Sequence, residues 1–396
     1  MHYLASPPEM IEGPAIAEYE RAFALAVGVR YAHSFAGARV GLYGLLEALG
    51  IGAGDEVVLQ VPTHVVVANA IRYTGATAVY ADCDLSTYNI DLRRLERHIT
   101  PRTRAIVLQH TFGIPVDLDA VLSITRRHGL LLVEDCVHAL GATYRGRRVG
   151  SIGHAAIFST EETKTISTTM GGMVVTDDPE LAAKLAAFKA RCAPPQRSLV
   201  TGYLVKLVTY HVLNEPYVHR LPRRLYELAG RRNPLPQATS PDEARGLRPE
   251  GYERRLSNAQ AAIGLSQLQG LEANLAHRRA IADLYARRLP ELGYAVPRPP
   301  PGAVPAYVRF PVRTPARAAA IAALAPHAVL GTWFTSVLEE AQASDAVGYA
   351  PGSCPQAELA ARELVNLPTH PRVRRADAEH IVAALGALRQ RSAVRV

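Results

Sequence analysis

The chain is poor in lysine, in cysteine and in long apolar runs, and each shortage removes a class of function. Only Lys164, Lys184, Lys189 and Lys206 stand among 44 Lys and Arg, so the +8 formal charge is nearly all arginine. Those arginines are scattered, with no basic block and no zinc-finger spacing, which argues against nucleic-acid binding and reads as solvated surface. Cys83, Cys136, Cys192 and Cys354 lie far apart without Cys-x-x-Cys spacing. That pattern suggests reduced thiols in a cytoplasmic setting and no structural metal. No run reaches the roughly 18 to 20 apolar residues that a membrane span needs, and no basic stretch leads into an apolar one at the N-terminus, so nothing signals export. What is there is a 396-residue chain, 48% hydrophobic and 20% charged, long enough for one large domain plus a smaller one.

From about residue 31 to 176, "EVVLQVP", "TAVYADC", "AIVLQHT", "LLLVEDC" and "AAIFS" read as strands, while "DLRRLERHI" and "PVDLDAVLSITRRHG" have amphipathic helical spacing. Such alternation predicts an α/β fold with a mostly parallel sheet between helices. Ligands of these sheets bind in the crevice at the carboxyl ends of the strands. "DDPELAAKLAAFKARC" predicts a helix with Asp178 as N-cap, Pro179 in its first turn and Glu180 near the positive end of its dipole. Lys184 and Lys189 belong to that helix as solvent-facing charges. Residues 194–250 change character: Pro pairs, the apolar "LVTGYLVKLVTYHVL", then the Arg-rich "HRLPRRLYELAGRRNPLP". They read as an insertion with one helix of its own, between a large domain over 1–193 and a smaller one over 251–396 that opens on the long helical pattern "RRLSNAQAAIGLSQLQGLEANLAHRRAIADLYARRL".

One lysine is out of the ordinary. Lys164 is the first in the chain and sits among hydroxyls and small residues in "FSTEETKTISTTMGG", with Ser159 before it and Gly171 and Gly172 after. An amine in desolvating or cationic surroundings loses its proton more easily and attacks carbonyls. Three further segments end strands and face the same crevice. In "HSFAGARVGLYGLLEALG" small residues lead into a helix near Ala38, whose free amides attract a phosphate. Asp135 ends the apolar run "LLLVEDC", and His64 follows the strand in "VPTHVVVANAI". A lysine for an aldehyde, an acid for a ring nitrogen, donors for a phosphate and a flat partner together fit pyridoxal phosphate.

The order of these motifs resembles the DegT/DnrJ/EryC1/StrS family of pyridoxal-phosphate sugar aminotransferases, of the aspartate-aminotransferase fold type I. The likeness runs through "GIGAGDEVV", "GATAVYADCDLSTYNID", "HGLLLVEDCVHALGATYRGRRVGSIG", "FSTEETKTISTTMGGMVVTDDPELAAKL", "RRLSNAQAAIGLSQL" and "NLPTHPRV". It covers nearly everything except 194–250. The resemblance implies a seven-stranded sheet in the large domain, a smaller C-terminal α+β domain and a homodimer with its active site at the subunit boundary. It implies Lys164 as the Schiff-base lysine, Asp135 as the partner of the pyridinium nitrogen, and His138 beside the ring. Ser159, with the backbone of Ala38 and Arg39, would hold the phosphate, although the family usually has Gly-Thr or Gly-Arg there. Thr63 and His64 align with a Thr followed by an aromatic, so His64 would stack on the ring. Glu253 stands where the family often supplies an asparagine to the partner subunit's phosphate, and "STTMGG" departs from the family's acidic-glycine run. The cross-subunit contact stays open.

The implied activity moves an amine from an amino acid, glutamate by expectation, to a keto group on a nucleotide-linked sugar. Members that remove a sugar hydroxyl carry histidine at the lysine position, and Lys164 argues against them. The alternatives are an aminotransferase acting on a cyclitol, a lipid-borne keto group or an aldehyde, and a non-catalytic protein that binds the cofactor or a sugar. Lys164 and Asp135 together speak against a dead site. A nicotinamide dehydrogenase lacks its Gly-x-Gly-x-x-Gly here. Within the insertion, the apolar helix followed by Arg220, Arg223, Arg224, Arg231 and Arg232 suggests peripheral contact with an anionic membrane through 200–232. The competing expectation is that Leu204, Leu207 and Val208 pack inward and the arginines are solvated.

Overall fold

The computed structural model describes residues 7–213 and 239–393, apart from positions 326, 327, 329 and 332. Seven strands form its central sheet: β1 (Tyr31–Phe35), β2 (Glu56–Gln60), β3 (Thr77–Ala81), β4 (Thr103–Gln109), β5 (Leu131–Asp135), β6 (Ala155–Ser159) and β7 (Gly172–Thr176). Their order is β1-β7-β6-β5-β4-β2-β3. Every pairing from β6 across to β3 is parallel, whereas β7 runs antiparallel to both β6 and β1. This is the expected α/β class.

Alternation along each strand sorts its side chains onto two faces. Val57, Leu59, Val107 and Val133 face one core, which is closed by α2 (Ala38–Ala48), α3 (Val65–Tyr73) and α5 (Pro179–Arg191). Val58, Ile106, Leu108 and Leu132 face the other, closed by α1 (Ala15–Val27), α4 (Leu118–His128) and α7 (Asn258–Gln269). Because both faces are covered, β2 is buried along its whole length, its polar ends Glu56 and Gln60 included.

Two helical expectations are corrected. Over 91–99 only a single 3-10 turn forms, at Leu95–His98. The Asp91 carboxylate accepts hydrogen bonds from the Arg93 amide (3.1 Å) and Arg93 Nε (2.9 Å), a local arrangement that competes with an α-helical start. The long pattern after residue 254 breaks at Gly270 into α7 and α8 (Leu271–Glu291). Ser257 and Gln260 form a capping box that starts α7, and α7 lies so close to α1 that a side chain at Gly264 would strike the Tyr19 ring. A third core gathers the second half of α8, from Ile281 onward, with the antiparallel pair β8 (Phe310–Arg313) and β9 (Leu364–Leu367), α9 (Arg317–Leu324) and α10 (Arg375–Ala393).

The insertion's helix is α6 (Arg197–Leu213). Its Val200 and Leu204 pack on Met10 and Ala259. Leu207 is half-buried, while Val205 (46%) and Val208 (49%) are exposed, so the expectation that Val208 packs inward fails. Lys206 turns inward and pairs with Glu162 at 2.6 Å. Of the two lysines expected in solvent, Lys184 is there, paired with Glu180 at 2.8 Å. Lys189 is mostly buried and bound to the Glu20 carboxylate, because α5 lays it against α1 and β1. Arg220, Arg223, Arg224, Arg231 and Arg232 lie outside the described residues.

Candidate active site

The carboxyl ends of β1, β2, β4, β5 and β6 share one edge of the sheet, and β7 begins there. Ser159 pairs with Gly172, and Gly172 with Phe35. A Cβ at Gly172 would collide with the Ala38 backbone, and one at Gly171 with the hydroxyls of Thr160 and Thr168. The double glycine therefore lets the start of α2 press against the strand ends. Gly37 precedes that helix in extended backbone with no side-chain cap, leaving amides of its first turn, at Ala38 and Arg39, for an incoming acceptor. The Arg39 guanidinium pairs with Glu243 at 2.7 Å. Ser159 Oγ accepts the Glu161 amide at 3.3 Å.

Asp135 is fully buried where β5 ends. Its Oδ1 accepts the Val137 amide at 3.1 Å, and its Oδ2 has no hydrogen-bond partner. Burial pushes its pKa up to about 6, against the pull of the Val137 amide and of Lys164. A buried carboxyl oxygen without a donor is costly, and an N–H from a bound ring would relieve it. Lys164 is the nearby amine. Burial lowers its pKa to about 8, opposed by Glu161 and assisted by Arg309. Its Nζ lies 3.8 Å from the centre of the Trp333 indole ring.

His138 is buried and accepts the Phe112 amide on Nδ1 at 3.3 Å, which leaves the proton on Nε2. Burial, then the charge of Lys164, holds it well below the usual histidine range. Its ring stacks with Trp333, centroids 4.8 Å apart, and lies parallel to Phe112 at 6.2 Å. Thr63 and His64 pair with Leu338 and Glu339, which brings the 333–340 segment onto the crevice. Thr63 Oγ1 donates to Gln109 at 2.8 Å. His64 caps α3, its Nδ1 accepting the Val66 amide at 3.4 Å, and its Nε2 is 3.4 Å from the Glu340 carboxylate. Glu253 is bound by Arg248 and lies 3.7 Å from Arg191, so its charge is met within the chain.

The structure thus gathers Asp135, His138 and Lys164 closely, with Ala38, Arg39 and Ser159 on the strand edge beside them and Thr63 and His64 on the next loop. Trp333 and Arg309 were not anticipated as site residues. Trp333 sits in "GTWFTSVLEE", and Arg309 interrupts the apolar run "AYVRFPV"; an arginine amid strand-forming residues was the signal available. A metal was not expected. Among the described residues, His110, Glu134 and Cys136 bring possible ligand atoms within 4.8 Å of one another. Glu134 is already saturated by His110 (3.1 Å) and by the amides of Gly150, Ile152 and Gly153, which marks the group as a hydrogen-bonded strut under β5.

The sequence model of the DegT/DnrJ/EryC1/StrS aminotransferase family matches residues 4–386. The chain is 36% identical over 287 residues to the GDP-perosamine synthase of Caulobacter vibrioides, covering 72% of this chain and 65% of that protein. It is 35% identical over 277 residues to the spore coat polysaccharide biosynthesis protein SpsC of Bacillus subtilis, covering 69% and 61%. Each match spans a little under two thirds of the relative's length. Among solved structures, DesV of S. venezuelae, in complex with a ketimine intermediate, superposes with a TM-score of 0.77 at 29% identity over 98% of this chain and 93% of that one.

Proposed function

The chain belongs to the DegT/DnrJ/EryC1/StrS aminotransferase family, and from that premise we propose that it is a pyridoxal-phosphate aminotransferase transferring an amine from an amino acid to a keto group on a nucleotide-linked sugar. The observation that carries the reading is the unpartnered Oδ2 of Asp135 beside an amine whose pKa burial has lowered to about 8. When bound, the cofactor supplies an aldehyde for that amine and a ring that takes up electrons from the substrate carbon.

Each residue has a task that its surroundings suit. Lys164, partly deprotonated near neutral pH, is the nucleophile toward the aldehyde. With the cofactor bound, its Nζ would hold and move the proton at the reacting carbon, as base and then acid. Asp135 Oδ2 would accept the ring N–H and keep that nitrogen protonated, because a nearby negative charge favours the cation. Ala38 and Arg39 amides and the Ser159 hydroxyl hold the phosphate at the start of α2. His138, neutral and flat, borders the ring with His64. A nucleotide-linked acceptor is supported by the name of the Caulobacter relative. Glutamate as donor and a homodimer with its site at the subunit boundary follow from the family resemblance. A cytoplasmic setting is supported by four buried cysteines, none of them bridged.

Borohydride reduction of the cofactor-soaked protein, followed by peptide mass mapping, tests the reading. The expected label is on Lys164 alone, and Lys164→Ala should lose both the visible absorbance and amine transfer. Label on another residue, or on none, overturns it.

A further inference from the structure

Lys164 lies in the loop that joins β6 to β7, and helices hold that loop from two sides. On one side the contacts are neutral: Asn274 Nδ2 of α8 donates to the Thr165 carbonyl (2.8 Å), Gln267 Oε1 of α7 accepts the Ser167 amide (2.9 Å), and Gln260 Nε2 donates to the Thr168 carbonyl (3.2 Å). All three fall after Lys164. On the other side stands α6, the helix of the insertion. Its Tyr203 carbonyl accepts the Thr169 hydroxyl at 3.3 Å, at a residue whose φ of 69° a β-branched side chain rarely adopts. One turn further along α6, Lys206 pairs with Glu162 at 2.6 Å, two residues before Lys164. The docking of α6 does not depend on this pair, because Val200 and Leu204 seat the helix on Met10 and Ala259. Lys206 is nevertheless buried, which is unfavourable for an ammonium unless it meets an opposite charge. The charged groups facing Glu162 are Lys206 from α6 and Glu161 from its own loop. Burial raises the Glu162 pKa, Lys206 opposes that rise and Glu161 adds to it.

We propose that Lys206 is a positioning residue for the site amine: by neutralising Glu162 it keeps the start of the loop closed against α6 and so holds Lys164 where it meets the cofactor aldehyde. This rests on the aminotransferase reading above, and it gives the insertion's helix a task inside the active site. Without the Lys206 charge, Glu162 has two courses. At low pH it takes up a proton and stays in place. At higher pH it ionises with no counter-charge, and its carboxylate is drawn toward water. Thr163 alone separates it from Lys164, so the amine moves with it. The defect therefore belongs to the alkaline side and to the charge, not to the packing of the lysine stem.

Lys206→Met, which keeps most of the stem and removes the charge, tests this with two readouts. The first needs no cofactor. In cofactor-free protein treated with acetic anhydride at pH 8 and mapped by mass, Lys164 should be acetylated about ten-fold faster in Lys206→Met than in the wild type, each rate taken relative to the exposed Lys184; that is the size expected when a partly buried charge loses its partner. In protein loaded with pyridoxal phosphate, the variant should release the cofactor about ten-fold faster at pH 8, and its ratio to the wild type should shrink toward pH 5.5. Lys206→Arg should behave as the wild type. Adding Glu162→Gln to Lys206→Met should return both rates to near wild-type values. Wild-type rates in Lys206→Met at pH 8 overturn the inference, as does a double variant no better than the single one, which would leave Lys206 a packing role only. If Lys206→Met does not fold, Glu162→Gln alone strands the opposite charge and should also speed acetylation of Lys164; an unchanged rate there overturns the inference too. Borohydride label on wild-type Lys164 is checked first, so its absence counts against the proposed function, whereas label present with no difference among the variants counts against this inference alone.

Discussion

At the scale of single residues, the site is an arrangement of costs that a ligand would remove. Asp135 is the clearest. Its folded pKa, about 6, lies above the ordinary carboxylate value because burial penalises the charged form. Between the unfolded value and 6 the folded protein therefore binds more protons than the unfolded chain. Stability attributable to this group falls as pH rises through that window, and the penalty is complete above it. Asp135→Asn removes the ionisation, so the cofactor-free variant should exceed the wild type in unfolding free energy by about 3 kcal/mol at pH 8, with little difference near pH 4. Urea denaturation of both proteins at the two pH values measures this, and an equal difference at both would contradict it. The same variant should hold pyridoxal phosphate less well. Stability and function pull in opposite directions at this one carboxylate.

Lys164 and Asp135 were legible as residues because each is anomalous in its local sequence: a lone lysine among hydroxyls, an acid closing an apolar strand. Arg309 was not. What sets it apart is its place against the indole ring that Lys164 also meets, and that is decided by segments far away in the chain.

Among the elements, the contact between β7 and α2 sets the geometry of the phosphate end. Gly172 meets the Ala38 backbone where any Cβ would overlap it. Gly172→Ala cannot be absorbed by a flexible side chain, so the first turn of α2 must move. The variant should lose about 1 to 3 kcal/mol of stability, the usual cost of overpacking, and should release pyridoxal phosphate at least about ten-fold more readily, because the amide donors no longer converge. Thermal melting and dialysis against buffer, followed by absorbance, read the two effects. Unchanged retention would show that α2 does not carry the phosphate. Helix starts such as Asp178 and Ser257 could be read or checked locally, since caps are short-range. The window at 91–99 could not, since apolar spacing carries no record of the Asp91 side chain competing for the backbone.

For the molecule as a whole, two cores flank the sheet and a third forms around the second half of α8. The proposed homodimer makes a simple demand: sedimentation equilibrium should give about twice the 42.8 kDa of one chain at micromolar concentration. A single-chain mass would remove the subunit boundary from the proposal. Val205 and Val208 on α6 stay exposed within one chain.

The sequence by itself determined the class of fold, because strand-length apolar runs alternating with helical spacing can bury both faces of a sheet in few other ways. It also singled out the acid that closes a strand and the amine in the loop after one, since those are properties of neighbours in the chain. The tertiary structure alone decided that Asp135 keeps one oxygen unpartnered, that Lys206 and Lys189 turn inward, and that Arg309 and Lys164 meet at one indole ring. Those outcomes depend on burial and on charges contributed from distant segments, and both are set only when the layers close.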